Sequence, residues 1–137
     1  MPGWGTGSFE NEDAQKFLGQ LKALGIDDLR KILARASDQE DYLEAPESSI
    51  AVAAAEVVAA LVAVAKSGTP SPAAPREILD WISKNNKEGV SPGLVDVAGR
   101  AVDRVRTNSE LKDLWLEAEG LNEWGVALRE LEGRLKA

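Results

Sequence analysis

The sequence predicts an all-α fold: a single domain over residues 1–137, built as a compact bundle of about six or seven helices around an Ala/Val-rich central helix. Three observations carry this. Apolar residues recur at helical spacing in almost every segment. Alternation of period two is never sustained. Asn, Ser, Pro and Gly fall where helix ends call for them.

Asn11 reads as an N-cap, with Glu12 and Asp13 favourably placed for the helix dipole and apolar residues at Ala14, Phe17, Leu18, Leu21 and Leu24. Gly25 reads as the residue that ends this helix in a left-handed turn. Asp27 or Asp28 opens a second helix carrying Leu29, Ile32, Leu33 and Ala36, and the acidic stretch SDQEDYLEA then breaks the pattern. Pro46 suits the first position of a third helix running to about Lys66, where valine, leucine and alanine cover most of the surface. A helix apolar on all sides must be surrounded by neighbours, which makes this the central element.

The stretch SGTPSPAAP, residues 67–75, is a Pro/Ser-rich connection. Pro75 begins a helix with Ile78, Leu79, Trp81 and Ile82. Ser91 and Pro92 form an N-cap and first-position pair for a helix bearing Leu94, Val95, Ala98, Val102 and Val105. Asn108 or Ser109 caps a short helix that stops near Gly120, and Asn122 starts the last, striped by Trp124, Leu128, Leu131 and Leu135. Trp81, Trp115 and Trp124 lie on apolar stripes and are expected in the core.

Composition narrows the chemistry. The chain has no cysteine and no histidine, so disulfides, thiolate metal sites and both Cys–His and Ser–His–Asp catalysis are excluded. Sixteen basic against twenty-three acidic residues give a net charge of -7, which repels phosphate backbones. The basic clusters, Arg100, Arg104 and Arg106 and then Arg129, Arg134 and Lys136, are interleaved with acids, so nucleic-acid binding is not expected. The longest apolar run, Ile50 to Ala65, is shorter than the ~20 residues of a membrane span and contains Glu56. With no basic-then-apolar leader before Glu10, the expectation is a cytoplasmic protein without membrane contact.

Three features are candidates for function. The opening MPGWGTGSFENEDA sets glycines among aromatics, but no strand precedes them and no lysine follows before Lys16, so a phosphate loop is disfavoured. Trp4, Gly5, Gly7, Phe9 and Asn11 are instead expected to form a structural motif, with the glycines providing close approach and positive φ. The acidic run containing Asp38, Glu40, Asp41, Glu44 and Glu47 is the candidate binding surface for a basic protein partner. Glu56, isolated among valines and alanines, calls for either solvent or an arginine such as Arg100 or Arg104.

An alternative uses the same acids as ligands. Glu44 with Glu47, and Glu77 with Asp80, give the E-x-x-E and E-x-x-D spacings by which some all-α phosphohydrolases hold magnesium, with Glu56 between them. Pro46 interrupts the first pair, and short acid patterns arise readily among twenty-three acids. The expectation is therefore a non-enzymatic interaction module, adaptor-like or antidote-like, without a cofactor. The alternatives are the magnesium-dependent hydrolase and an oligomeric scaffold with a large apolar face.

Four stretches, Gly3–Ala14, Asp41–Leu61, Leu94–Val105 and Asn108–Trp115, resemble in order the bacterial family catalogued as domain of unknown function 4259. The resemblance implies a small bacterial cytosolic protein in which the opening motif belongs to the fold. It transfers no catalytic residue.

Overall fold

In the computed structural model, which describes residues 3, 5–69, 74–86 and 90–136, helices account for all the regular structure. They are α1 (Glu12–Gln20) with a following 3-10 turn (Leu21–Ala23), α2 (Ile26–Asp38), α3 (Ala45–Ser67), α4 (Arg76–Asn85), α5 (Pro92–Thr107), α6 (Glu110–Glu117) and α7 (Leu121–Lys136). Parts of the 67–75 connection and of the NNKEG stretch lie outside the described residues.

Side-chain caps fix three of the helix starts. Asn11 Oδ1 accepts from the Ala14 N–H at 2.8 Å, Ser91 Oγ from Leu94 at 3.2 Å and Ser109 Oγ from Lys112 at 3.1 Å. Each is worth on the order of 1 kcal/mol. Gly25 departs from expectation. Its φ of -107° is extended rather than left-handed, and it is the N-cap of α2, donating its N–H to Asp28 Oδ2 at 2.8 Å. The first helix already ends at Gln20, because the chain tightens into the 3-10 turn and leaves it at Leu24. The freed Leu24 carbonyl accepts from the buried Trp81 indole at 2.8 Å. α3 does end in a left-handed residue, Gly68, whose N–H reaches Val64 O at 2.8 Å.

α3 packs against each of the other six helices, and α5 forms a second hub touching α2, α3, α6 and α7. Every residue from Ala51 to Val62 is buried except Glu56. By length and composition α3 is apolar enough to cross a membrane, yet here the surrounding helices cover it. Small alanine side chains let neighbouring helices come close, and Phe17, Leu33, Val102, Trp124 and Leu131 join the same core cluster. Trp81, Trp115 and Trp124 are all buried.

The α6–α7 corner is reversed by a non-glycine residue. The Gly120 N–H returns to Trp115 O at 3.0 Å and that of Glu119 to Leu116 O at 3.2 Å, which places Glu119 at φ 61°. A Cβ on Gly120 would lie 2.6 Å from the Trp115 ring. Glu119→Gly is therefore expected to raise stability by about 0.5–1 kcal/mol through relief of the left-handed strain. Gly120→Ala should lower it by about 1–3 kcal/mol because Trp115 must move. Denaturant midpoints for the two variants check both signs.

Candidate functional site

The acidic connection between α2 and α3 has its backbone turned inward and its carboxylates outward. Arg104, on the last turn of α5, donates to the carbonyls of Asp41 at 2.8 Å, Asn108 at 2.9 Å and Gln39. The Gln39 side chain donates to Tyr42 O at 3.1 Å. Glu110, first residue of α6, binds both ways: its N–H reaches Leu43 O at 2.8 Å, and its carboxylate accepts from the Ala45 N–H at 2.8 Å. Leu43 points into the core and is fully buried. One guanidinium, one carboxylate and one leucine thus fix the course of the segment.

Asp38, Glu40, Asp41 and Glu44 are consequently exposed along this connection. Glu47 is not with them. It is half-buried in the first turn of α3, in a cleft shared with Phe17, Lys31 and Arg35. In its place α6 contributes carboxylates that the sequence reading missed. Tyr42, 52% exposed, donates its hydroxyl to Asp113, and Glu110 and Glu117 are close enough to act on it. The hydrogen bond to Asp113 pushes the phenol up to about 12, reinforced by desolvation and by the negative charges of Asp113, Glu110 and Glu117. Among the described residues, Asp38 is the one member of this acidic group in an ion pair, with Arg100 at 3.6 Å, both side chains being mostly exposed. Such an exposed pair neutralises little.

Glu56 finds an arginine, though neither of the two expected. Arg100 reaches Asp96 and Asp38, and Arg104 is committed to backbone carbonyls. The partner is Arg134 on α7, whose two terminal nitrogens meet the Glu56 oxygens at 2.7 and 3.1 Å while its Nε binds Glu130 at 2.6 Å. Ser8 Oγ donates to Glu56 Oε2 at 2.6 Å. The Glu56 side chain is 14% exposed and that of Arg134 43%. Bidentate contact with Glu56, then contact with Glu130, holds Arg134 above the usual arginine range against the opposing effect of burial. The cluster borders a cleft of about 570 Å³ walled by Phe9, Ala59, Ala63 and Ile78.

The five carboxylates of the metal alternative, Glu44, Glu47, Glu56, Glu77 and Asp80, are not brought together. Among the described residues no group of three or more acidic side chains is placed to share a cation. Glu56 is occupied by Arg134 and Ser8, whereas Glu77 and Asp80 are exposed on α4. An oligomer scaffold calls for a broad apolar face, and the large apolar side chains exposed among the described residues are Tyr42, Leu116 and Val126.

The glycine-rich opening surrounds an anion of its own chain. The Gly7 N–H donates to Glu10 Oε1 at 3.0 Å, and the Glu10 N–H returns to Gly7 O at 3.1 Å. A Cβ on Gly3 would meet the Glu10 carbonyl at 2.6 Å, so close backbone approach is what glycine provides there. Positive φ is not the reason at Gly7, since among the described residues Gly68 is the one glycine with that geometry. Gly5, Gly7 and Ser8 lie over Ser49 and Val52 of α3, Trp115 of α6 and Leu128 of α7, and Phe9 packs on the core. Trp4 lies outside the described residues.

The chain matches the family described as Domain of unknown function (DUF4259) over residues 3–126, and it belongs to that family. No curated protein and no solved structure matches it. The stretches that resemble the family meet in space. Arg104 and Glu110 organise the start of the Asp41–Leu61 stretch, and Ser8 of the first stretch binds Glu56 of the second.

Tyr42 is the chain's sole tyrosine, so tyrosinate absorbance reports it alone. Its folded-state pKa is raised, so the Asp113 contact stabilises fully below the ordinary value of 10.0 and is lost as pH rises through about 12. The titration midpoint is expected near 12, and Asp113→Asn should return it toward 10. Separately, Glu56→Ala removes the acceptor of three hydrogen bonds. It should cost about 1–3 kcal/mol in denaturant unfolding, the partial exposure of Arg134 setting the upper end.

Proposed function

We propose that this protein is a non-enzymatic interaction module, adaptor-like or antidote-like, that engages a basic protein partner through the acidic surface around Tyr42. The observation that carries this reading is the half-exposed Tyr42, bonded to Asp113 with Glu110 and Glu117 acting on it, in a connection whose Asp38, Glu40, Asp41 and Glu44 are exposed and whose backbone Arg104 and Glu110 fix. A tyrosine offers a large contact area at small entropic cost and anchors interfaces well. The carboxylates add long-range attraction for a cationic surface, which speeds encounter and makes it salt-sensitive. Because the segment is held before any partner arrives, little ordering cost falls on binding. The absence of histidine and cysteine from the whole chain supports the non-enzymatic side of the reading.

Affinity capture from the cell that makes the protein tests this. The wild type is expected to retain a basic protein at stoichiometric level in low salt and to release it as salt rises. Tyr42→Ala, and separately the triple variant Asp38→Lys, Asp41→Lys, Glu44→Lys, should weaken that complex at least about tenfold, since an interface anchor is worth ~2 kcal/mol. Asp38, Asp41 and Glu44 are exposed, so the triple variant should keep its thermal stability, whereas Tyr42→Ala should lower it slightly by deleting the Asp113 contact. A partner held equally well by the triple variant would place the interface elsewhere.

A further inference from the structure

The opposite charge gathers on the other side of α6. Where α5, α6 and α7 meet there is a cleft of about 510 Å³, within the ~300–1,000 Å³ typical of small-molecule sites. Arg106 from α5, Lys112 from α6, and Asn122 and Arg129 from α7 line it, over apolar ground that includes Leu121 and Val126. Among the described residues, no aspartate or glutamate lines this cleft, in a chain whose acids outnumber its bases twenty-three to sixteen. The clefts of about 1080, 570 and 410 Å³ elsewhere on the molecule each carry carboxylates in their walls.

The three cations differ in their commitments. Arg106 is braced from behind: its Nε binds Glu132 at 2.7 Å and one terminal nitrogen binds Asp103 at 2.8 Å, which orients a guanidinium that is 21% exposed. Lys112 and Arg129 form no ion pair among the described residues. Their own helices offer little. No acid stands three or four residues from Lys112, and the one acid so placed for Arg129 is Glu132, which Arg106 holds. Lys112 and Arg129, neither in an ion pair, stand with Arg106 around a cleft whose described lining includes no carboxylate, and like charges so gathered favour an anion there.

We propose that this cleft binds a small molecule bearing a phosphate or diphosphate group. Such a group presents several acceptor oxygens at once, which the guanidinium fork of Arg129 and the ammonium of Lys112 can share, while the Asn122 amide supplies a neutral donor. The apolar ground at Leu121 and Val126 accommodates the uncharged remainder of the molecule. The sequence scatters these residues over positions 106 to 129 among acids, so only the helix packing reveals a local positive site on a protein of net charge -7. The assignment is independent of the acidic surface and of any partner bound there.

Inorganic pyrophosphate is the probe, titrated into the full chain and followed in heteronuclear amide spectra. Saturable shifts are expected at Thr107, Asn122, Gly125 and Val126, with a dissociation constant below about 1 mM. The double variant Lys112→Gln, Arg129→Gln should weaken binding at least about tenfold while keeping a dispersed, folded spectrum, and Lys66→Gln, in a different cleft, should leave it unchanged. Absence of saturation up to about 10 mM, or shifts that persist in the double variant, overturns the proposal. So does a short single-stranded oligonucleotide that displaces pyrophosphate with a steep salt dependence, because the groove would then serve nucleic acid.

Discussion

A helix of twenty-three residues with no polar stripe places the governing demand on this structure. α3 must be surrounded, and six helices from both sides of it in sequence do the surrounding. Alanines buried along it contribute little apolar area each. Their value is the close approach they permit, so that leucines, valines and tryptophans of the neighbours supply most of the burial. The arrangement tolerates enlargement poorly over Ala51–Val62, where an added methylene has little free space to move toward.

Between Ala51 and Val62 the one opening in that wrapped surface, Glu56, is used as a tether. A carboxylate there is costly unless paired, and its pairing joins three parts of the molecule: the N-terminal segment through Ser8, the central helix itself, and α7 through Arg134. The same economy recurs at the acidic connection. There Arg104 and Glu110 satisfy backbone groups of a segment that belongs to no helix, which leaves its side chains free to face solvent. Both arrangements put charge to structural use on the inside. They leave two outward-facing fields of opposite sign, around Tyr42 and around Lys112, on the two sides of α6.

What the sequence made legible was local. The caps at Asn11, Ser91 and Ser109, the proline-led starts and the central helix all follow from interactions within four residues of one another. Partner choice was not legible. Arg134 and Glu56 are 78 residues apart, Tyr42 and Asp113 are 71 apart, and no spacing rule selects them over Arg100 or Arg104. Leu43 was hidden by the acids around it, although a leucine in the middle of an acidic run is itself a sign of an inward anchor. Gly25 and Glu119 exchange the roles their types suggest. The 3-10 turn after α1 removes the need for a left-handed glycine, and the ring of Trp115 claims the position where Gly120 sits.

Amide hydrogen exchange on Glu56→Gln is the decisive measurement of whether this carboxylate fastens the N-terminal segment and α7 to the apolar middle of α3. Faster exchange is expected in residues 5–10 and in the second half of α7, with α2, α5 and the middle of α3 retaining wild-type protection. Unchanged protection around Ser8 and Arg134 would contradict it, and so would a uniform loss across all the helices, because either result would separate those segments from the Glu56 carboxylate.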